Sequence, residues 1–212
     1  MKESEKLALD IPEPNIDVVE GYAQLWDAND ATHQLYVAHN ETLKQVWGFL
    51  PENTNFQHIL IKVTLLNSFY STRIANMSLV HVAKAIHDLK IDDKLAKSEV
   101  DTELVNAIAD ATKEESGKRA YSFATKYCHW HRPDLYPIYD SFVGDGLWYF
   151  FKKYGKMQKF LKTKDLADYS SFYDVMANFR EVYGLAECTI KEVDLYLWRL
   201  GKEYFKSNKD EE

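Results

Sequence analysis

GKRAYSFATKYCHWHRPDLYPIYDSFV, residues 117–143, is the stretch whose reading decides the fold. Ala120, Phe123, Ala124, Tyr127 and Trp130 recur at spacings of three and four, which place them on one side of a helix. Pro133 has no N–H to donate and steers Arg132 away from the α region, so a helix over 118–131 should end near His131. An irregular loop is expected at 132–140. Asp140-Ser141 then opens a second helix over 141–154, and either residue can cap its exposed N–H groups. A carboxylate thus stands at a helix mouth just past a basic, aromatic helix.

Working outward, the same periodicity repeats. Ile16, Val19, Tyr22, Ala23 and Trp26 form one helical pattern, and Leu35 to Trp47 form another, stopped by Gly48 and Pro51. A long helix starting at Asn53 or Thr54 carries Ile59, Leu60, Val63, Leu65, Leu66, Phe69 and Tyr70. It is apolar around most of its circumference and is expected to be the central buried helix. Further patterns fall near 77–89, 99–111, 169–183 and 189–206. No strand-like alternation survives, and only 8 Gly and 5 Pro leave few tight turns for an all-β chain. The chain reads as all-α with nine or ten helices. One globular domain over 14–206, or two small lobes, follows a mobile acidic lead-in at 1–13, and a charged tail closes 207–212.

Two cysteines, Cys128 and Cys188, cannot build a disulfide framework or a four-cysteine metal site, and both are expected as reduced thiols. His129 and His131 point to different sides of a helix, so no metal and no cofactor are expected. No apolar run reaches spanning length, and the opening Met1-Lys2-Glu3 is non-secretory; the expected location is cytoplasmic. A net charge of −7 argues against nucleic acid, but its distribution argues back. Between Lys118 and Lys164 ten Lys/Arg stand against three acids, while the rest of the chain holds sixteen basic and thirty acidic residues. The plain alternative is a solvated basic face that keeps the protein soluble.

The segment Pro137-Ile138-Tyr139-Asp140-Ser141-Phe142-Val143 resembles the loop of the helix-hairpin-helix superfamily of DNA glycosylases, in which a catalytic Asp precedes Ser or Thr and an apolar residue. Ser122, eighteen residues upstream, falls where that family's bifunctional enzymes hold lysine, and Ala124 matches a small residue there. Leu65-Leu66-Asn67-Ser68 and Trp198-Arg199-Leu200-Gly201 resemble the family's first and last core helices. The resemblance covers about residues 56–202. It departs at the hairpin, where Lys118-Arg119-Ala120 replace a Gly-x-Gly turn that would hold a phosphate on backbone amides.

The resemblance implies a compact two-lobed helical domain and a monofunctional glycosylase, since serine forms no Schiff base. Asp140 would stabilise cationic character at the sugar, with Ser122 lining the same cleft. Tyr127, Trp130, Tyr136 and Tyr139 would wall the pocket of a flipped base. Lys118, Arg119, Lys126, Arg132, Lys152 and Lys153 would contact DNA phosphates. Asp140 as a plain N-cap is the structural alternative. Two other functions stay open: a nucleic-acid-binding relative without the chemistry, and an acidic helical protein-interaction module.

Overall fold

In a computed structural model, residues 3–24, 31–158 and 163–205 are described. Trp26, Asp30, Lys159, Lys162 and the tail at 207–212 lie outside them. The described residues are all-α, with no strand. They carry eleven α-helices: α1 Glu3–Leu7, α2 Ile16–Gln24, α3 Ala31–Phe49, α4 Phe56–Phe69, α5 Leu79–Asp88, α6 Asp92–Leu95, α7 Thr102–Ser116, α8 Tyr121–His131, α9 Ser141–Tyr154, α10 Tyr169–Val182 and α11 Ile190–Phe205. Short 3-10 turns stand at Asn76–Ser78 and Thr163–Ala167. The chain divides into two compact units, one made of residues 1–25 and 139–212, the other of 26–138.

In the 26–138 unit, α4 packs on α5, α3 and α8, while α7 lies against α5 and α8. Ile59, Val63, Leu66, Val82, Ile86, Leu104, Ile108, Phe123 and Tyr127 form its core. The expectation of an α4 buried on most sides is corrected. Only Ile59, Lys62, Val63 and Leu66 are buried on it, and Ile61 is 45% exposed. Asn55 caps α4 by accepting from the His58 N–H, and Asp101 caps α7 by accepting from that of Leu104.

α7 and α8 form a helical hairpin. Gly117 ends α7 at φ +76°, a left-handed conformation that glycine adopts without strain, and donates its N–H to the Lys113 carbonyl. The helix expected from residue 118 therefore starts only at Tyr121. Residues 118–120 are the turn, fastened where the Ala120 N–H donates to the buried Thr112 hydroxyl at 2.9 Å.

In the other unit, α9 packs on α11, α11 on α2, and α1 on α9, around Val143, Leu147, Phe150, Phe179, Tyr196, Leu197 and Leu200. Gly201 of α11 lets the two helices close. A Cβ there would lie 2.5 Å from the Phe142 carbonyl oxygen and 2.6 Å from its Cβ. Within residues 3–13, α1 lies against α9, Ile11 is buried, and Lys6 pairs with Asp145 at 2.8 Å. Thr189 and Glu192 open α11 as a capping box, each side chain bonding the other's backbone N–H.

Candidate functional site

Asp140 opens α9 as the sequence predicts. Its backbone is extended, and Oδ1 accepts from the Phe142 N–H at 3.0 Å. Tyr139, just before it, is half-buried, with its ring edge-on to Phe172 at 5.4 Å. Burial, then the nearby Asp140 and Asp145 charges, raise its hydroxyl above the ordinary tyrosine range. Asp140 and Tyr139 belong to one unit; Ser122 and the other aromatic candidates belong to the other.

Around the hairpin, the six expected phosphate contacts separate. Lys118 is exposed at the turn. Arg119 folds back along α7, donating to Asp110 at 2.7 Å and Asn106 at 2.9 Å, so its guanidinium braces the hairpin. Lys126 is a correction: it is 3% exposed, with Nζ 2.6 Å from the Ser122 hydroxyl and 5.3 Å from the Tyr70 ring centroid. Arg132 grips Asp134 with two N–H groups and donates to the Leu95 and Lys97 carbonyls, tying the end of α8 to the chain after α6. In the other unit, Lys153 donates to the Leu7 and Leu9 carbonyls, Lys156 pairs with Glu13, and Lys152 lies 4.0 Å from Glu3. The N-terminal segment thus engages Lys152 and Lys153, two of the six expected phosphate contacts, and Lys156 beside them.

The base-pocket candidates are corrected in part. Tyr127 and Tyr136 are fully buried and committed: Tyr127 donates to Asn53 at 2.6 Å, and the Tyr136 oxygen accepts from the Asp101 N–H at 3.1 Å. Burial pushes the Tyr127 hydroxyl well up and that of Tyr136 up to about 12. Neither can stack on a base. Trp130 is half-buried and donates its indole N–H to the Tyr70 hydroxyl at 3.1 Å. The loop after Tyr70 is shaped by Asn67, which accepts from Thr72 and from the Ile74 N–H and donates to the Ile74 carbonyl. It holds Ser71 and the exposed Arg73 at φ +48° and +61°. Non-glycine residues held there store strain that such pinning must offset.

Pattern reading missed a second constellation. Lys62, on the apolar stripe of α4, has no solvent exposure. Its ammonium donates to the Glu52 carbonyl at 3.0 Å and Asn53 Oδ1 at 2.8 Å, and lies 3.4 Å from His131 Nε2. The Trp47 and Tyr127 rings flank it, with centroids 5.6 and 5.7 Å from Nζ. Asn53 is the hub. It accepts from Lys62 and Tyr127, and donates through its amide and its backbone N–H to both oxygens of Asp92. Burial lowers Lys62 to about 8, with the Asp92 charge working against the shift, and burial beside Lys62 holds His131 well below the ordinary histidine range. His131 Nε2 lies 3.4 Å from both the Lys62 ammonium and the Asn53 amide nitrogen. A lysine inside an apolar periodicity carries no sequence mark of this network. The one available signal is that Lys62 interrupts a buried face. A shallow cavity of about 330 Å³ opens at the Asn53 and Asp92 edge, lined also by Thr54, His87, Lys90 and Asp93. Among the described residues no cluster of three or more His, Cys, Asp or Glu is placed to hold a metal, and no helix is long and apolar enough to cross a membrane.

These features define an all-α protein of two units, one built around a helical hairpin and a buried lysine network. Residues 18–135 match the HI_0787_N family, described as an N-terminal domain, and that span nearly coincides with the 26–138 unit. A protein of Haemophilus influenzae, described as uncharacterized, is 37% identical over 198 residues, covering 90% of this chain and 92% of its own length. The chain belongs to the HI_0787_N family. No solved structure matches it.

Proposed function

We propose that this protein binds DNA through the α7–α8 hairpin. The observation that carries the reading is the turn itself. Gly117 ends α7 in the left-handed conformation, Lys118 stands exposed at the apex, and α8 begins at an Ala120 N-cap that makes no side-chain hydrogen bond to its first turn. A cation next to the positive end of a helix suits a phosphate. The exposed Arg73, in the loop joined to α8 through the Tyr70–Trp130 bond, adds a second cation on the same unit.

Base removal is the second reading. It is favoured by Asp140, a carboxylate fixed at the mouth of the 14-residue helix α9, where helix dipole and amides support negative charge. The sealing of Tyr127 and Tyr136 weighs against it, because a flipped base needs exposed aromatic walls. Electrophoretic binding to a short duplex, paired with base release from damaged and mismatched duplexes, tests both. Binding weakened by Lys118→Ala without base release supports the first reading. Base release lost in Asp140→Asn supports the second. Absence of any duplex binding at low salt refutes both.

A further inference from the structure

The cavity of about 330 Å³ beside the Lys62 network is lined by Asn53, Thr54, His87, Lys90, Asp92 and Asp93. All six belong to the 26–138 unit. Its volume falls at the small end of the roughly 300–1,000 Å³ found for small-molecule sites. Three elements meet around it. The chain leading into α4 brings Asn53 and Thr54, the end of α5 brings His87, and the start of α6 brings Asp92 and Asp93. Lys90 stands in the turn between α5 and α6.

One wall is fixed in advance. Asp92 accepts from the Asn53 amide at 2.6 Å on one oxygen and from the Asn53 backbone N–H at 2.8 Å on the other. Asn53 is itself 2% exposed and is held from behind by Lys62 and Tyr127. Each carboxylate oxygen can accept more than one hydrogen bond, so Asp92 keeps capacity for a ligand and loses little freedom in taking it. The rim differs. The side chains of Lys90 and Asp93 are exposed and make no hydrogen bond or ion pair among the described residues. The Thr54 hydroxyl donates to Glu52 at 3.2 Å, which leaves its oxygen able to accept.

The lining selects by chemistry. Its six side chains include no aliphatic residue and no aromatic ring beyond the His87 imidazole, so an acyl chain finds no wall and a nucleobase little platform. Among the described residues, His87, Asp92 and Asp93 are not placed to hold a metal ion, so the cation that the two carboxylates suit is an organic ammonium. The charges also balance. Asp92 and Asp93 stand against Lys90 at the rim and the Lys62 ammonium behind Asn53. A small molecule bearing both signs matches that balance better than a polyamine or a phosphate does. We infer that this cavity binds a free α-amino acid, its ammonium held by Asp92, Asp93 and the Thr54 oxygen and its carboxylate by Lys90. The site does not depend on the DNA-binding reading.

The test is isothermal titration calorimetry of the full chain with the common L-amino acids, and with isobutylamine and isovalerate, which each carry one of the two charges. At least one amino acid should bind saturably at a single site, and neither single-charge control should match it. Amide chemical-shift changes in the wild type should fall on Asn53, Thr54, His87 and residues 90–93, which reads the site without a substitution. Asp93→Asn and Lys90→Met each remove one charge from an exposed position, and circular dichroism checks that they fold. Each should weaken binding of that amino acid by about tenfold or more, as for a lost hydrogen bond to a charged group. No saturable binding of any amino acid at millimolar concentration would overturn the assignment. So would isobutylamine or isovalerate binding as tightly as the amino acid, shift changes confined to other residues, or wild-type affinity in either folded variant.

Discussion

Replacing Lys62 by Met tests the buried network through its pH dependence. Methionine keeps much of the volume and removes the charge. In the folded protein burial lowers Lys62 from 10.5 to about 8, whereas in the unfolded chain it titrates at the ordinary value. Between those two values the unfolded chain carries a proton that the folded one has released, so stability rises with pH across the window and is lower by a constant amount below it. From about pH 7.5 to about pH 9.5 the group should add about 2 kcal/mol to wild-type stability. Tyrosines pushed up by burial act in the opposite direction only near and above pH 10, and equally in both proteins. Urea unfolding followed by tryptophan fluorescence at the two pH values gives the difference directly. Wild type should gain about 2 kcal/mol relative to Lys62→Met over this interval. Parallel pH dependences in the two proteins would refute the reasoning, because they would mean that Lys62 is solvated.

Asn53→Ala should cost about 3–5 kcal/mol, since it strands the Lys62 charge, the Tyr127 hydroxyl and the Asp92 carboxylate together; denaturant titration at neutral pH measures it. Gly201→Ala should destabilise by about 1–3 kcal/mol although alanine favours helices, because its methyl would meet the backbone of Phe142 at 2.5 Å; an unchanged melting temperature would show that α9 and α11 pack more loosely. Asp140→Ala should lose about 1 kcal/mol of cap energy that Asp140→Asn retains, and thermal melts of the pair separate the two.

The elements carried by strong periodicity were legible from the chain. Asp140 caps α9, and α9 spans 141–154 as the cap and spacing predict. The hairpin turn was harder to place, because Lys118-Arg119-Ala120 fit helix spacing until the left-handed Gly117 stops α7 before them. Charge was the least legible property. Lys152, Lys153 and Lys156 read as a basic face, yet their partners are carbonyls and carboxylates more than 140 residues away in the lead-in, at distances no local pattern encodes. Lys126 and Lys62 show the same limit from inside. Periodicity marks the buried side of a helix by its apolar members, and a lysine satisfied by Ser122 or by Asn53 breaks that side without announcing its partner. The buried tyrosines follow suit, since Tyr127 and Tyr136 differ from pocket aromatics only in what their hydroxyls reach.

The salt dependence of duplex binding tests the central proposal most directly. Each phosphate neutralised by a lysine or arginine releases counterion, so log Kobs against log salt should fall steeply for the full chain. With Arg119 committed to Asp110 and Asn106, the proposal makes Lys118 the hairpin contact. Lys118→Ala should flatten the slope by about 0.9, and Arg119→Ala should act mainly through hairpin stability. A slope near zero for the full chain, or one that Lys118→Ala leaves unchanged, would contradict phosphate binding at the α7–α8 turn.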